Sequence, residues 1–333
     1  MPATISDPLQ TISEVQAAIA AGERLFLAGS RSALSQLPMG NWVGGTISYF
    51  MTGEGGLQAE DRVFVTRIPA FALNVWAEDY GPQELARIYR DAPAHGFTFI
   101  VLPAGTQVHR LFAEQAPSFD GFLMRPVVGW VTGVPVDRIG LDSPAVFNGR
   151  TGAVLEDRCA ALHVQLPPNK MADLDIVNIF ESADGEVVRF DLTGFHVAQC
   201  RIGGKPANLA DYICENGIST EFPLVADYNG TSINVSFQKN DPVARTVDLF
   251  APVFPGVDYR FAKPVEDYEG AFARQIAAED CEPYFACNCI LNYLYGHLEG
   301  KKTGCITGPI TFGEIAHQLL NQTMVRLYLR DIG

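Results

Sequence analysis

The residues best suited to chemistry lie between Cys281 and Asn321. Four thiols and two imidazoles fall within about forty residues together with the carboxylate of Glu314: Cys281, Cys287, Cys289, Cys305, His297 and His317. Thiolate and imidazole are the ligands that zinc and iron–sulfur clusters use. Zinc sites usually separate paired cysteines by about two to four residues, whereas one residue separates Cys287 from Cys289. We therefore expect no bound zinc or iron, and buried cysteines that act as small hydrophobic residues.

A second hypothesis makes Cys287 or Cys289 a nucleophile, with His297 or His317 as its base and Glu314 orienting the imidazole. A helix beginning near Cys289 would lower the pKa of that thiol through its dipole. This arrangement would give a thiol-dependent hydrolase or transferase. The sequence does not decide between this hypothesis and buried, structural cysteines.

A glycine pair marks another candidate segment, at the start of a predicted strand. Gly44 and Gly45 allow close backbone approach, and Thr46 and Ser48 alternate onto one face. The pattern indicates either a glycine bend or one wall of a small-molecule pocket. Because pockets favour the interface between domains, we predict a ligand site between the two halves of the chain. Its predicted residues are Trp42, Gly44, Gly45, Thr46, Cys287, Asn288, Glu314 and Asn321.

Glu314 has two interpretations within this prediction. As a pocket residue, its carboxylate would face an amino group of the ligand. Alternatively, the run GEIAHQLL begins a helix, and Glu314 is an acidic residue in its first turn, where the helix dipole favours negative charge. The sequence leaves both interpretations open.

The predicted elements are helices and strands in alternation. Helical spacing indicates helices over 10–22 and 207–216, and the runs FTFIVL, YFACN and NQTMVRLYLR indicate strands. Asp184-Gly185 between two apolar runs predicts a hairpin, and Pro167-Pro168 indicates a domain boundary. The expected fold is α+β, with two domains, 1–166 and 167–333, built from mixed or antiparallel sheets flanked by helices.

Charge and composition narrow the function classes. The chain has 333 residues, with 24 lysines and arginines against 38 acidic residues, a net charge of −14. This acidity argues against nucleic-acid partners and a polybasic membrane anchor. The absence of a long apolar run predicts no membrane insertion. Seven cysteines, an odd number, suggest free thiols in a reducing compartment, so we expect a cytoplasmic protein. No nucleotide, zinc-protease or serine-hydrolase motif occurs, and the sequence identifies no cofactor.

Three C-terminal segments carry a resemblance to a known family. Phe285-Ala286-Cys287-Asn288, Gly308 to Ile315 (GPITFGEI) and Asn321-Gln322-Thr323 resemble the end of the FIST domain, a sensory input domain of bacterial signal-transduction proteins. Val43 to Thr46 resembles the start of a strand in its N-terminal part, more weakly. Asn288-Cys289 stands where the family has Gly-Arg, so the family's arginine is missing.

The resemblance implies a FIST N-like domain over 1–166 and a FIST C-like domain over 167–333. The implied function is a sensory protein that binds a small, amino-acid-like ligand. Because both halves are used by the fold, it would act through a partner such as a histidine kinase or a chemotaxis protein. Some relatives are haem-based nitric-oxide sensors, so a haem-based gas sensor is an alternative. The thiol-dependent enzyme and a plain scaffold protein are the others.

Overall fold

Short helices alternate with many strands along the chain. The computed structural model describes residues 7–228, 231–276 and 281–332. In these ranges the α-helices are α1 Ile12–Ala20, α2 Arg31–Leu34, α3 Arg87–Asp91, α4 Gln107–Gln115, α5 Leu209–Glu215, α6 Tyr268–Gln275 and α7 Ile290–Tyr295. The strands of the first half are β1 Leu9–Thr11, β2 Leu25–Gly29, β3 Trp42–Thr46, β4 Tyr49–Thr52, β5 Gly55–Gln58, β6 Arg62–Arg67, β7 Asn74–Tyr80, β8 Gly96–Leu102, β9 Val127–Val131, β10 Val146–Asn148, β11 Ala153–Leu155 and β12 Cys159–Gln165.

The second half is richer still in strands. They are β13 Lys170–Val177, β14 Val188–Arg189, β15 Gly194–Val197, β16 Gln199–Ile202, β17 Lys205–Asn208, β18 Leu224–Tyr228, β19 Thr231–Val235, β20 Phe237–Asp241, β21 Thr246–Val253, β22 Tyr259–Phe261, β23 Phe285–Cys289, β24 Gly308–Thr311, β25 Glu314–Ala316, β26 Gln318–Leu320 and β27 Met324–Asp331.

The described strands form five sheets. Their orders are β1-β6-β2-β3-β10-β11, β26-β25-β9-β8-β12-β7, β13-β27-β23-β24-β4-β5, β17-β16-β14-β22-β18-β19 and β15-β21-β20. The pairs β2–β3, β8–β9 and β23–β24 are parallel, and the other pairs between these strands are antiparallel. The predicted α+β class with mixed and antiparallel sheets is confirmed.

Each parallel pair belongs to a strand–helix–strand unit. These units are β2-α2-β3, β8-α4-β9 and β23-α7-β24, and β23 passes directly into α7. A parallel pair needs such a crossover, and its strands are apolar because both faces are covered. The residues of β23 and nearly all of β8 are accordingly buried.

Two sheets contain strands from both halves of the chain. Strand β25 pairs with β9, placing Glu314 opposite Trp130, and β24 pairs with β4. Aromatic rings also join the halves: the ring of Phe99 lies 4.1 Å from that of Phe26 and 5.1 Å from that of Phe285. The two halves therefore share one core, and the domain boundary at residue 166 stays a prediction.

Several predicted elements are confirmed and two are wrong. The helices at 12–20 and 209–215 and the strands β8, β23 and β27 lie where the sequence indicated them. The Asp184-Gly185 hairpin is wrong, because β13 pairs with β27 and β14 pairs with β16 and β22. The helix at GEIAHQLL is also wrong: β25 and β26 form a hairpin there, with His317 between them at a φ of 61°.

Cys281 and Cys305 form a disulfide, with Cα atoms 5.3 Å apart. The expectation of free thiols is therefore wrong for this pair. Cys281 lies just before β23 and Cys305 just before β24, and parallel pairing brings the starts of these two strands together. The sequence does not show that pairing. Among the described helices, none is long and apolar enough to cross a membrane.

Candidate ligand-binding cleft

A cleft of about 1080 Å³ opens where strand–helix–strand units from the two halves meet. It lies beyond the carboxyl ends of β8, β9, β23 and β24, the position where α/β sheets commonly bind ligands. Its lining residues are Ala104, Gly105, Thr106, Gln107, His109, Arg110, Val131, Gly133, Val134, Val136, Ile139, Gly140, Asp142, Pro144, Phe195, His196, Gln238, Asp248, Leu249, Phe250, Cys289, Ile290, Leu291, Leu294, Tyr295, Phe312 and Asn321. Aliphatic and aromatic side chains dominate, with a few polar groups among them.

Helix α4 supplies one polar wall. Thr106 caps the helix by accepting a hydrogen bond from the backbone N–H of His109. The backbone N–H of Gly105 donates to Nδ1 of His109 at 3.3 Å, so the neutral ring carries its proton on Nε2. That Nε2 is buried without a hydrogen-bond partner. Burial lowers the pKa of His109 to about 4, so at neutral pH this imidazole is an uncharged donor.

Asn321 supplies a second polar wall. Its side chain is 1% exposed, and its Nδ2 donates to the carbonyl of Leu320, while Oδ1 has no hydrogen-bond partner. The surrounding turn is held from outside: Nδ2 of Asn234 donates to the carbonyls of Asn321 and Gln322, each at 3.2 Å. Gln322 has a φ of 48°, uncommon for a residue with a side chain. The chain thus holds an unpaired acceptor in a rigid position.

The two carboxylates of the cleft, Asp142 and Asp248, each have a side-chain partner within the chain. Nδ1 of His196 lies 2.6 Å from Oδ1 of Asp248 on the neighbouring strand. Both oxygens of Asp142 accept hydrogen bonds from Arg138, at 2.7 and 2.9 Å. These carboxylates therefore have a partner within the chain.

Glu314 lies outside this lining, in the core behind it. Its Oε2 accepts hydrogen bonds from the backbone N–H and the hydroxyl of Thr323, at 3.2 and 2.9 Å, and its Oε1 lies 3.4 Å from the hydroxyl of Thr311. Burial raises the pKa of Glu314 to about 8, although hydrogen bonds from Thr323, Cys289 and Thr311 lower it. At neutral pH the buried carboxyl is mainly protonated.

The two neighbouring thiols are buried as well. Burial first, and then the carboxyl of Glu314, raise the pKa of Cys287 and Cys289 well above the usual value. His297 is exposed, and Nδ1 of His317 lies 2.9 Å from the carbonyl of Phe122. Glu314 accepts from threonines and Cys289 and orients neither imidazole. This arrangement argues against either thiol as an activated nucleophile.

The Trp42–Thr46 strand packs into the core and does not line the cleft. Nε1 of Trp42 donates to the carbonyl of Pro38, and the hydroxyl of Thr46 accepts from the N–H of Ala145. A Cβ on Gly45 would lie 2.3 Å from Cγ1 of Val101, and one on Gly44 would lie 2.5 Å from the carbonyl oxygen of Leu27. The glycine pair therefore serves close strand packing.

The structure brings one of the eight predicted site residues, Asn321, to the cleft. Cys287, Asn288 and Glu314 are buried beside it, and Cys289, their neighbour, does line it. Within residues 7–228, 231–276 and 281–332, no three His, Cys, Asp or Glu side chains are grouped so as to hold a metal ion.

Sequence comparison places the whole cleft within one family. Residues 10–330 match a family described as a family of unknown function, DUF6976. The chain belongs to DUF6976. The match includes both halves and every residue of the cleft lining. No curated protein and no solved structure matches the chain.

Sequence reasoning missed the α4 wall of this DUF6976 member. The available signal was the buried strand FTFIVL followed by Pro103, Ala104, Gly105 and Thr106, which lead into an amphipathic helix. A strand, a short turn and a capped helix often place polar groups at the edge of a sheet. His109 and Arg110 follow within the first turn of that helix.

Proposed function

We propose that this protein binds a small molecule in the cleft between its two halves and acts as a FIST-type sensory input protein, through a separate partner. The observation that carries the binding proposal is the unpaired Oδ1 of Asn321. A buried acceptor without a partner costs about 1–3 kcal/mol. Hydrogen bonds from Asn234 hold its turn in place. A donor on a bound molecule would satisfy this acceptor.

The shape and chemistry of the cleft support the same proposal. Its volume of about 1080 Å³ accommodates a metabolite-sized molecule, since ligand pockets usually measure about 300–1,000 Å³. Apolar side chains such as Leu291, Leu294 and Phe312 would bury the body of the ligand. A second unpaired atom, Nε2 of His109, offers a donor.

The sensory role rests on the resemblance of the C-terminal segments to the FIST domain. One of these segments, Asn321-Gln322-Thr323, contributes Asn321 to the cleft lining. In such a protein, occupancy of the cleft would change the binding of a histidine kinase or a chemotaxis protein. The buried, protonated thiols disfavour the thiol-dependent enzyme as the alternative.

A fluorescent apolar probe, N-phenyl-1-naphthylamine, tests the binding proposal. Ile139 lines the cleft and is 58% exposed, so Ile139→Glu places a charge on the apolar wall without disturbing the core. Leu141, 72% exposed and outside the lining, gives the matched control Leu141→Glu. We expect saturable binding by the natural protein, about tenfold weaker in Ile139→Glu, which corresponds to about 1.4 kcal/mol. Equal binding by both variants, or no binding at all, would overturn the proposal.

A second measurement distinguishes the haem-based alternative from the binding of another small molecule. Haem iron binds the lone pair of an unprotonated imidazole nitrogen, whereas the hydrogen bond from Gly105 N–H to Nδ1 keeps the proton of His109 on Nε2, so haem ligation would require the other tautomer. Titration with haemin would give a Soret band that His109→Phe removes if the haem-based alternative holds. An unchanged haemin spectrum favours the small-molecule proposal.

A further inference from the structure

We propose that the ligand of the cleft is a carboxylic acid that combines an apolar body with a hydrogen-bond donor on its chain. This inference rests on the proposed binding function and names the chemical class that the site selects. It is carried by the positions of three groups: Arg110, His109 and Asn321.

The α4 wall is suited to the carboxylate. Arg110 lines the cleft with a side chain that is 67% exposed, and its nearest carboxylate, Glu114, lies 3.6 Å from Nε. The N–H at Nε2 of His109 lies on the same helix and lacks an acceptor. Thr106 and Gln107, at the start of this nine-residue helix, complete the wall, and the positive end of the helix dipole favours an anion there.

The charged side chains of the cleft favour a ligand with a single negative charge. The cleft carboxylates already have partners: Asp142 accepts hydrogen bonds from Arg138, and Oδ1 of Asp248 lies 2.6 Å from Nδ1 of His196. Arg110 is then the cation that a ligand meets on the α4 wall. One guanidinium and one neutral donor match a monoanionic carboxylate, whereas the phosphate dianion would add charge to a protein of net charge −14.

The Asn321 wall selects the donor. Its unpaired Oδ1 is an acceptor, so it would repel a carboxylate and attract an N–H or O–H group. Helix α4 packs against β26, the strand that ends directly before Asn321. The two polar walls therefore adjoin, and a single ligand reaches both of them while its apolar part contacts Ile290, Leu291 and Phe312.

N-Decanoylglycine is the probe that tests this class, since it has a carboxylate, an amide N–H and an apolar chain. Its methyl ester removes the charge, and N-decanoylsarcosine replaces the N–H by N–CH₃. By isothermal titration we expect each change to weaken binding by about tenfold or more. Arg110→Gln should bind N-decanoylglycine no more tightly than its methyl ester. Asn321→Leu should bind N-decanoylglycine no more tightly than N-decanoylsarcosine.

Arg90→Gln is the matched control for Arg110→Gln. Arg90 also lies on a helix, is 70% exposed and has its carboxylate partner, Asp91, at 3.7 Å, but it is outside the cleft. We expect this variant to keep the natural affinities. The inference is overturned if the ester or the N-methyl compound binds as tightly as the acid, or if decyl phosphate binds more tightly. If N-phenyl-1-naphthylamine still binds in the cleft, the proposed function survives that result. If neither probe binds, both fall.

Discussion

Two polar regions of this protein lie side by side and differ in where their hydrogen bonds go. The Glu314 cluster is defined as Glu314, Thr311, Thr323 and Cys289. In this cluster the other residues donate the hydrogen bonds that the Glu314 carboxyl accepts. On the cleft wall, defined as His109 and Asn321, each side chain keeps one buried polar atom without a partner. Rare residue types in a buried cluster can therefore serve folding, whereas the unpaired atoms of two residues that line the cleft are what supports the ligand proposal.

The largest effect is expected from Glu314→Ala. The substitution leaves the N–H and hydroxyl of Thr323 without their acceptor and opens a cavity, so the free energy of unfolding should fall by about 4 kcal/mol. Glu314→Gln, which keeps the volume and a carbonyl acceptor, should lose less than half of that. Urea unfolding measures both. A loss below about 1 kcal/mol in Glu314→Ala would remove the structural role from the Glu314 cluster.

Next in size is the loss of the Cys281–Cys305 disulfide. It closes a loop with a sequence separation of 24 residues, and a loop of that length corresponds to about 3.5 kcal/mol of stability. In the double variant Cys281→Ser/Cys305→Ser the free energy of unfolding, measured with urea, should fall by that amount. Neither cysteine lines the cleft, so its affinity for N-phenyl-1-naphthylamine should stay the same. A parallel loss of affinity would show that the disulfide and the cleft are coupled.

Two buried asparagines turn the comparison into a direct contrast. Oδ1 of Asn288 accepts hydrogen bonds from the N–H of Cys289 and from Asn292, whereas Oδ1 of Asn321 accepts none. Asn288→Leu should therefore cost about 2 kcal/mol of stability, and Asn321→Leu should cost nothing or add up to about 1 kcal/mol. Thermal and urea unfolding of the two variants give the answer. Equal losses would erase the distinction between paired and unpaired polar groups.

The most gradual effect, spread over several pH units, comes from the titration of Glu314. Burial raises its pKa from the ordinary 4.5 to about 8 in the folded protein. The folded state then holds a proton that the unfolded state has lost, so this contribution to stability is complete below pH 4.5 and declines as the pH rises through 8. Relative to Glu314→Gln, the natural protein should lose about 1.4 kcal/mol for each pH unit within that window. Parallel stability curves for the two proteins would contradict the protonated carboxyl.

The sequence predicts local elements well where the signal lies within one segment. The strand FTFIVL and the helix ending at Asn216-Gly217 are confirmed because apolar spacing and stop residues are local. Features that depend on distant pairing are different. Strand β13 pairs with β27, which lies about 150 residues away, so the hairpin at Asp184-Gly185 is wrong although its turn residues are favourable.

In the candidate site, too, the sequence reveals what depends on a local segment and misses what depends on distant packing. Asn321 was found through the resemblance of its segment to a known family, and it lines the cleft. His109 lacks any motif, and its unpaired Nε2 arises from a helix cap, the N–H of Gly105 and the packing of α4 against β26. The glycine pair Gly44-Gly45 matches a pocket wall and a packing contact equally well in sequence. The close approach of the Val101 side chain and the Leu27 carbonyl oxygen shows that it serves packing.

A crystal structure of the protein with N-decanoylglycine tests the central claim most directly. We predict the ligand in the cleft, with its amide nitrogen about 3 Å from Oδ1 of Asn321 and its carboxylate accepting a hydrogen bond from Nε2 of His109. Both atoms that the chain leaves unpaired would then be satisfied by one molecule. A structure in which the cleft holds no ligand, and in which other groups of the protein bond to Asn321 Oδ1 and His109 Nε2, would contradict it.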